Sequence, residues 1–183
     1  MTYLLDTNVC IRYLNGRAPG VLQRLQTLQP VEIVVCSVVK AELFYGSQRS
    51  HDPARSLAVQ RQFLQPYRSL PFDDAVAELA GVLRAQLAQS GTPIGPYDLQ
   101  IAAIALTNGC TLVTHNVREF GRVPNLALED WEAARSDDEI AAGSRSAGRA
   151  EPMGNCPSKM ASMRRDSASS AGLGGVSQFI HAP

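Results

Sequence analysis

Residues 2–8, Thr-Tyr-Leu-Leu-Asp-Thr-Asn, bring an apolar run to an abrupt end on a carboxylate. The run is short, apolar and without helical periodicity, which reads as a buried strand over Thr2–Leu5 closed by Asp6. Similar runs recur down the chain. Glu32–Val35 is β-branched and apolar, Leu70–Phe72 is a brief strand, Thr111–Thr114 is another, and Leu126–Leu128 is the last. Between them lie segments with helical signals. Val9–Leu14 continues directly from the first strand, and a second helix starts after Pro19 and runs to about Leu28. Ser37 caps a helix through Tyr45 that Gly46 ends or kinks, and Pro53 opens one to about Leu64. Asp73 starts a long helix to about Gln89, with Ala75, Leu79, Val82, Leu83 and Leu87 as its core stripe. Gly95-Pro96 opens the next, which Asn108-Gly109 stops, and one helical turn follows Thr114. Strands alternating with helices predict an α/β fold, a central and mainly parallel sheet flanked by helices.

Composition bounds this reading. A chain of 183 residues with 45% hydrophobic residues can build one domain with a sizeable core. Apolar periodicity stops near Ser136, and Ser, Ala, Gly and Arg dominate beyond it. We therefore expect a folded domain over 1–135 and a disordered extension over 136–183. The formal net charge is zero, so no overall basic field advertises nucleic acid, and a local patch must supply any such contact. Lys40 is the lone lysine before residue 136, against many arginines. Cys10, Cys36 and Cys110 sit in apolar runs with no CxxC pair and no zinc-type spacing to histidine, as expected of buried thiols in a reducing compartment. The amino-terminal residues have neither a basic region nor a long apolar stretch. The expectation is a cytoplasmic protein without a membrane span.

Several oxygen-bearing side chains stand where the pattern calls for apolar ones, or at strand ends. Asp6 closes the first strand, and in open α/β sheets ligands gather outside the C-terminal strand ends. Glu42 has Val38, Val39 and Tyr45 at i−4, i−3 and i+3, which puts its carboxylate in or beside a buried stripe. Asp98 has Ile101, Ala102 and Ala105 at i+3, i+4 and i+7, so it heads a core-facing stripe. Thr114 and Asn116 follow the strand at 111–114. Each has a purely structural role open to it: Asp6 as a helix cap, Glu42 as an edge residue reaching water, Asp98 as a charge at a helix start, Asn116 as a turn residue. Acids gathered in one pocket cannot all stay ionised without a cation, so the joint reading is a hard-metal site and a metal-dependent hydrolase.

The motifs Leu-Leu-Asp-Thr-Asn (4–8), Ser-Val-Val-Lys-Ala-Glu-Leu-Phe-Tyr-Gly (37–46), Pro-Ile-Gly-Pro-Tyr-Asp-Leu-Gln-Ile-Ala-Ala (93–103) and Leu-Val-Thr-His-Asn-Val-Arg-Glu-Phe-Gly (112–121) resemble the PIN-domain toxins of VapBC toxin–antitoxin modules. The resemblance covers residues 1–133, with the motifs in the same order and at the same spacing. It implies a PIN-like fold and a toxic endoribonuclease dependent on Mg²⁺, for which Mn²⁺ substitutes. It places Asp6, Glu42, Asp98 and Asn116 in the catalytic positions. Asp6 and Asp98 hold the metal directly, and Glu42 is a ligand or orients a bound water. Asn stands at 116 where many PIN domains carry a fourth acid, which bears on a second metal site rather than on activity. Thr114, Arg118, Arg122 and Arg12 are the candidate contacts to substrate. The resemblance also implies an RNA substrate, by analogy the anticodon stem-loop of initiator tRNA, an inhibiting VapB-type antitoxin, and a toxin homodimer within the complex.

Two other enzyme and signalling classes use a strand-end acid. A phosphatase of the haloacid dehalogenase type needs a second Asp two residues on, where this chain has Asn8. A receiver-like module needs an acidic pair near the first strand and a lysine ending a late strand, and neither is present. The remaining alternative is an inactive PIN-fold module that binds RNA or protein.

Overall fold

A computed structural model of the chain describes residues 1–132. The domain limit at 135 and the expected disorder of 136–183 lie outside the described residues.

The elements run β1 (Tyr3–Leu5), α1 (Thr7–Leu14), α2 (Pro19–Thr27), β2 (Ile33–Cys36), α3 (Ser37–Gln48), α4 (Pro53–Leu64), β3 (Arg68–Leu70), α5 (Asp74–Gln89), α6 (Pro96–Thr107), β4 (Thr111–Val113), α7 (Val117–Phe120) and β5 (Leu128–Glu129). The five strands form one sheet in the order β3-β2-β1-β4-β5. Every pairing is parallel, so the sheet is wholly rather than mainly so. The strand interiors are continuous apolar runs, as a sheet covered on both faces requires: Leu4, Leu5, Val34, Val35, Leu112 and Val113 are all buried.

The strand order decides where a site can form. From β1 the chain moves outward through β2 and β3 on one side. It then returns to β4, beside β1, and moves outward to β5 on the other side. Connections leave β1 and β4 in opposite directions, which opens a crevice beyond their carboxyl ends. Tyr3, Leu4 and Leu5 stand in register with Thr111, Leu112 and Val113, so Asp6 and Thr114 are the next residues on two adjacent strands.

Several elements depart from the sequence expectations. The third strand is Arg68–Leu70, two residues earlier than expected, because it is an edge strand with Arg68 and Ser69 exposed and no apolar alternation to mark it. The last strand is likewise displaced, to Leu128–Glu129. Helix α3 runs through Gly46 to Gln48. Its N-cap is Cys36, whose Sγ accepts from the Val39 N–H, while Ser37 Oγ instead accepts from the Phe72 N–H and ties α3 to the segment after β3. The buried stripe of α5 is Val76, Ala80, Leu83 and Leu87, with Val82 49% exposed. Of the expected stripe, Leu83 and Leu87 are buried and Leu79 half-buried, whereas Ala75 and Val82 are exposed and Val76 and Ala80 take their place, since this helix offers apolar side chains on more than one face.

The segment after β5 closes over the start of α2. Ala18 gives that helix no side-chain cap; Glu132 supplies one from outside, accepting from the Val21 N–H at 2.9 Å. A Cβ on Gly20 would run into the Trp131 carbonyl oxygen, so only glycine admits this approach.

Candidate active site

Asp6 is the N-cap of α1, and the residues before it are committed to β1, so the strand delivers its carboxylate to the crevice. It is 2% exposed. Its Oδ1 accepts from the Thr7 N–H at 2.7 Å and its Oδ2 from Thr114 Oγ1 at 2.9 Å. Thr114 Oγ1 in turn accepts from the Asn116 N–H at 3.0 Å, so one hydroxyl joins the ends of β1 and β4 to the turn that starts α7. Thr7 Oγ1 donates to Glu42 Oε2, which brings α3 to the same place. Asp98 enters from the first turn of α6. A Cβ on Gly95 would stand 3.3 Å from Asp98 Oδ2, so the glycine before Pro96 leaves that carboxylate room.

The electrostatics are those of an acid cluster lacking a counter-ion. Burial raises the Asp6 carboxyl from its ordinary 3.8 to about 6. The Thr114 and Thr7 hydrogen bonds pull the other way, and the charges of Asp98 and Glu42 add to the rise. Asp98 is raised too, first by burial and then by the charges of Glu42 and Glu119. Among the described residues, Asp6, Glu42 and Asp98 take part in no ion pair. Two buried thiols lie below: Cys36 is pushed up to about 11 and Cys10 higher still, chiefly by burial, so neither is a nucleophile.

This donor set fits a hard cation. It is all oxygen, its hydrogen bonds fix the orientation of Asp6, and its charges are unbalanced. Among the described residues no three His, Cys, Asp or Glu side chains are grouped closely enough to hold a metal ion as they stand, so Asp6, Glu42 and Asp98 neighbour one another without forming a ready three-acid ligand set.

The other sequence candidates are placed as follows. Asn116 heads α7 without a side-chain cap bond. The histidine beside it, His115, which the sequence did not offer as a candidate, pairs its Nδ1 with Asp130 Oδ2 at 2.8 Å. Arg122 is held by the Pro93 carbonyl and by Glu119. Arg12 faces Glu132 at 3.7 Å. Arg118 is exposed and in no ion pair among the described residues. Thr7 and Gly95 escaped sequence reasoning. Thr7 carries a weak signal, a hydroxyl between two polar residues at a strand end, whereas the role of Gly95 shows only once Asp98 has a position. Beside the crevice a groove of about 480 Å³ runs between α1, α3 and α4, walled by Ile11, Leu14, Leu43 and Val59; of the three acids only Glu42 reaches it.

Residues 3–126 match the PIN domain model. The chain belongs to the PIN domain family. The PIN domain here is 38% identical over 131 residues to the tRNA(fMet)-specific endonuclease VapC of Salmonella typhimurium, covering 72% of this chain and 98% of that protein. It is 40% identical, over the same shares, to the protein of that name from Shigella flexneri. Among solved structures it is similar to DNA-bound VapBC from Salmonella typhimurium, with TM-score 0.68, 37% identity, and coverage of 72% of this chain and 98% of that one. Among the described residues no helix is long and apolar enough to cross a membrane.

Proposed function

We propose that this PIN domain is the toxin of a VapBC-type module, a cytoplasmic metal-dependent endoribonuclease that uses Mg²⁺, or Mn²⁺ in its place. The observation that carries this reading is Asp6: a buried carboxylate at the point where the sheet reverses direction, fixed by Thr7 and Thr114, facing two further acids and no cation of its own. Asp6 and Asp98 would hold the metal, with Glu42 as a ligand or as the acceptor that orients a water. When bound, Mg²⁺ supplies a water of lowered pKa and a positive charge against the phosphate. Thr114 holds the Asp6 carboxylate in one orientation and ties it to Asn116, at the mouth of the crevice. Arg118 takes a backbone phosphate, and Arg122 and Arg12 do so on exchanging their present carboxylate partners.

The names of the Salmonella and Shigella relatives support a tRNA substrate, and by analogy the anticodon stem-loop of initiator tRNA. The VapBC complex among the structural neighbours supports an antitoxin partner, and a toxin homodimer within the complex rests on the family resemblance alone. The groove between α1, α3 and α4 suits an apolar antitoxin segment that inhibits by ending at Glu42.

The test is the Asp98→Asn chain, which keeps the shape of the side chain and loses a strong metal ligand. Purified wild type should cleave RNA with Mg²⁺ and arrest growth when expressed without antitoxin; the variant should stay folded and do neither. A folded variant that is equally toxic would transfer the case to the non-catalytic binding module.

A further inference from the structure

Val38, Glu42 and Tyr45 follow one another at i, i+4 and i+7 along α3, so they share one face of the helix, and Arg49, its C-cap, continues the line at i+11. The face begins in the core, passes the site carboxylate and ends in solvent. Tyr45 is 63% exposed, is not among the side chains that pack on the core, and lies about 4.5 Å along the helix axis from Glu42. Arg49 folds back over it. Its guanidinium carbon is 5.6 Å from the ring centroid, and Nη1 donates to the Tyr45 hydroxyl at 3.3 Å. Arg12, Arg24 and Arg122 are each offset by a glutamate. Arg49 is held by a ring instead, so its charge stays available.

A ribonuclease with an acidic centre repels the phosphates it must grip. Affinity has to come from cations and base contacts around the centre. A flat aromatic ring backed by a guanidinium is the usual surface for an unpaired base. We propose that Tyr45 and Arg49 form a stacking platform for one unpaired RNA base next to the scissile phosphate, with Arg49 also facing the backbone. The assignment rests on the nuclease reading and adds to it the nucleotide that is gripped beside the cut.

The experiment uses the full chain and a single-stranded oligoribonucleotide that wild type cleaves with Mg²⁺, together with copies lacking one base at each position near the cut. Tyr45→Leu should raise KM about tenfold or more, the scale of one base stack, with kcat changed by less than about twofold. Tyr45→Phe should stay close to wild type. Removing the stacked base should weaken wild type by a similar factor and leave Tyr45→Leu nearly unaffected, the coupling expected of direct contact. Arg49→Gln should weaken binding and lower the salt dependence by about one counterion. If wild type cleaves and Tyr45→Leu keeps the same KM, or loses affinity equally with every abasic copy, the platform is refuted while the nuclease reading stands. If wild type neither cleaves nor binds RNA, both fall together.

Discussion

Replacing Asp6 by Asn should make the domain more stable at neutral pH while abolishing metal response. The Asp6 carboxyl is raised from 3.8 to about 6, and burial is the largest cause. An acid whose folded pKa lies above its unfolded one favours the folded state most below the unfolded value, and that advantage is lost as pH rises through the folded value. Above about pH 7 the ionised group therefore costs the fold about 3 kcal/mol, taken from the shift at 1.36 kcal/mol per pH unit. The amide of the Asp6→Asn chain does not ionise, and it can still be satisfied. Its oxygen accepts from the Thr7 N–H, and its NH₂ donates to Thr114 Oγ1, which retains a free lone pair. With some loss for imperfect geometry, a gain of about 1–3 kcal/mol at pH 7.5 without divalent metal is expected. The gain should shrink through pH 6 and vanish near pH 4. Mg²⁺ should reverse the ranking, because ligand linkage stabilises only the chain that binds it. Thermal and urea unfolding of both proteins at pH 4–8, with and without Mg²⁺, measures all of this. A pH-independent difference, or a less stable variant at pH 7.5 without metal, would refute the account of Asp6 as a strained, cation-seeking acid.

Two substitutions and two truncations test the scaffold. Thr114→Val removes the hydroxyl that donates to Asp6 and accepts from the Asn116 N–H, so it should cost about 2 kcal/mol and shift the acid limb of the cleavage profile to higher pH. Gly20→Ala drives a methyl group into the Trp131 carbonyl and should cost about 2 kcal/mol or more. Trp131 is the sole tryptophan, so a red-shifted emission would report the displaced segment directly. A chain ending at Arg135 should keep its melting temperature and its cleavage rate, whereas one ending at Asp130 loses the Glu132 cap on α2 and should melt several degrees lower.

Much of the fold was legible because its signals are local. Pro19, Pro53 and Pro96 mark helix starts, Asn108-Gly109 marks a stop, and the β2 and β4 runs are apolar enough to read as interior strands. Legibility failed where burial is set by a distant neighbour. Arg68 and Ser69 lie in an exposed edge strand whose pairing with Val34 and Val35 leaves no alternation in the sequence. In α5, Ala75 and Val82 fit an apolar stripe with Leu83 and Leu87 on paper as well as Val76 and Ala80 do; packing against α6 selects the second pair.

The site divides along the same line. Glu42 and Asp98 stood out because a carboxylate inside an apolar helical stripe needs a reason, and the stripe is visible in the sequence. What turns those acids into a site is the placement of β4 beside β1, which sets the Thr114 hydroxyl against the Asp6 carboxylate across 108 residues of chain. No local pattern encodes that neighbour. The arginines show the converse. Arg12 follows the first motif, but a carboxylate from the far end of the domain faces it. Arg49 carries no mark in the sequence; its place as the C-cap of α3, over Tyr45 and beyond Glu42, is a property of the fold. Acids buried in a crevice declare themselves by their misfit with the pattern around them. The cations and rings that grip a substrate sit in solvent, where any residue type is at home, and only their distance from those acids distinguishes them.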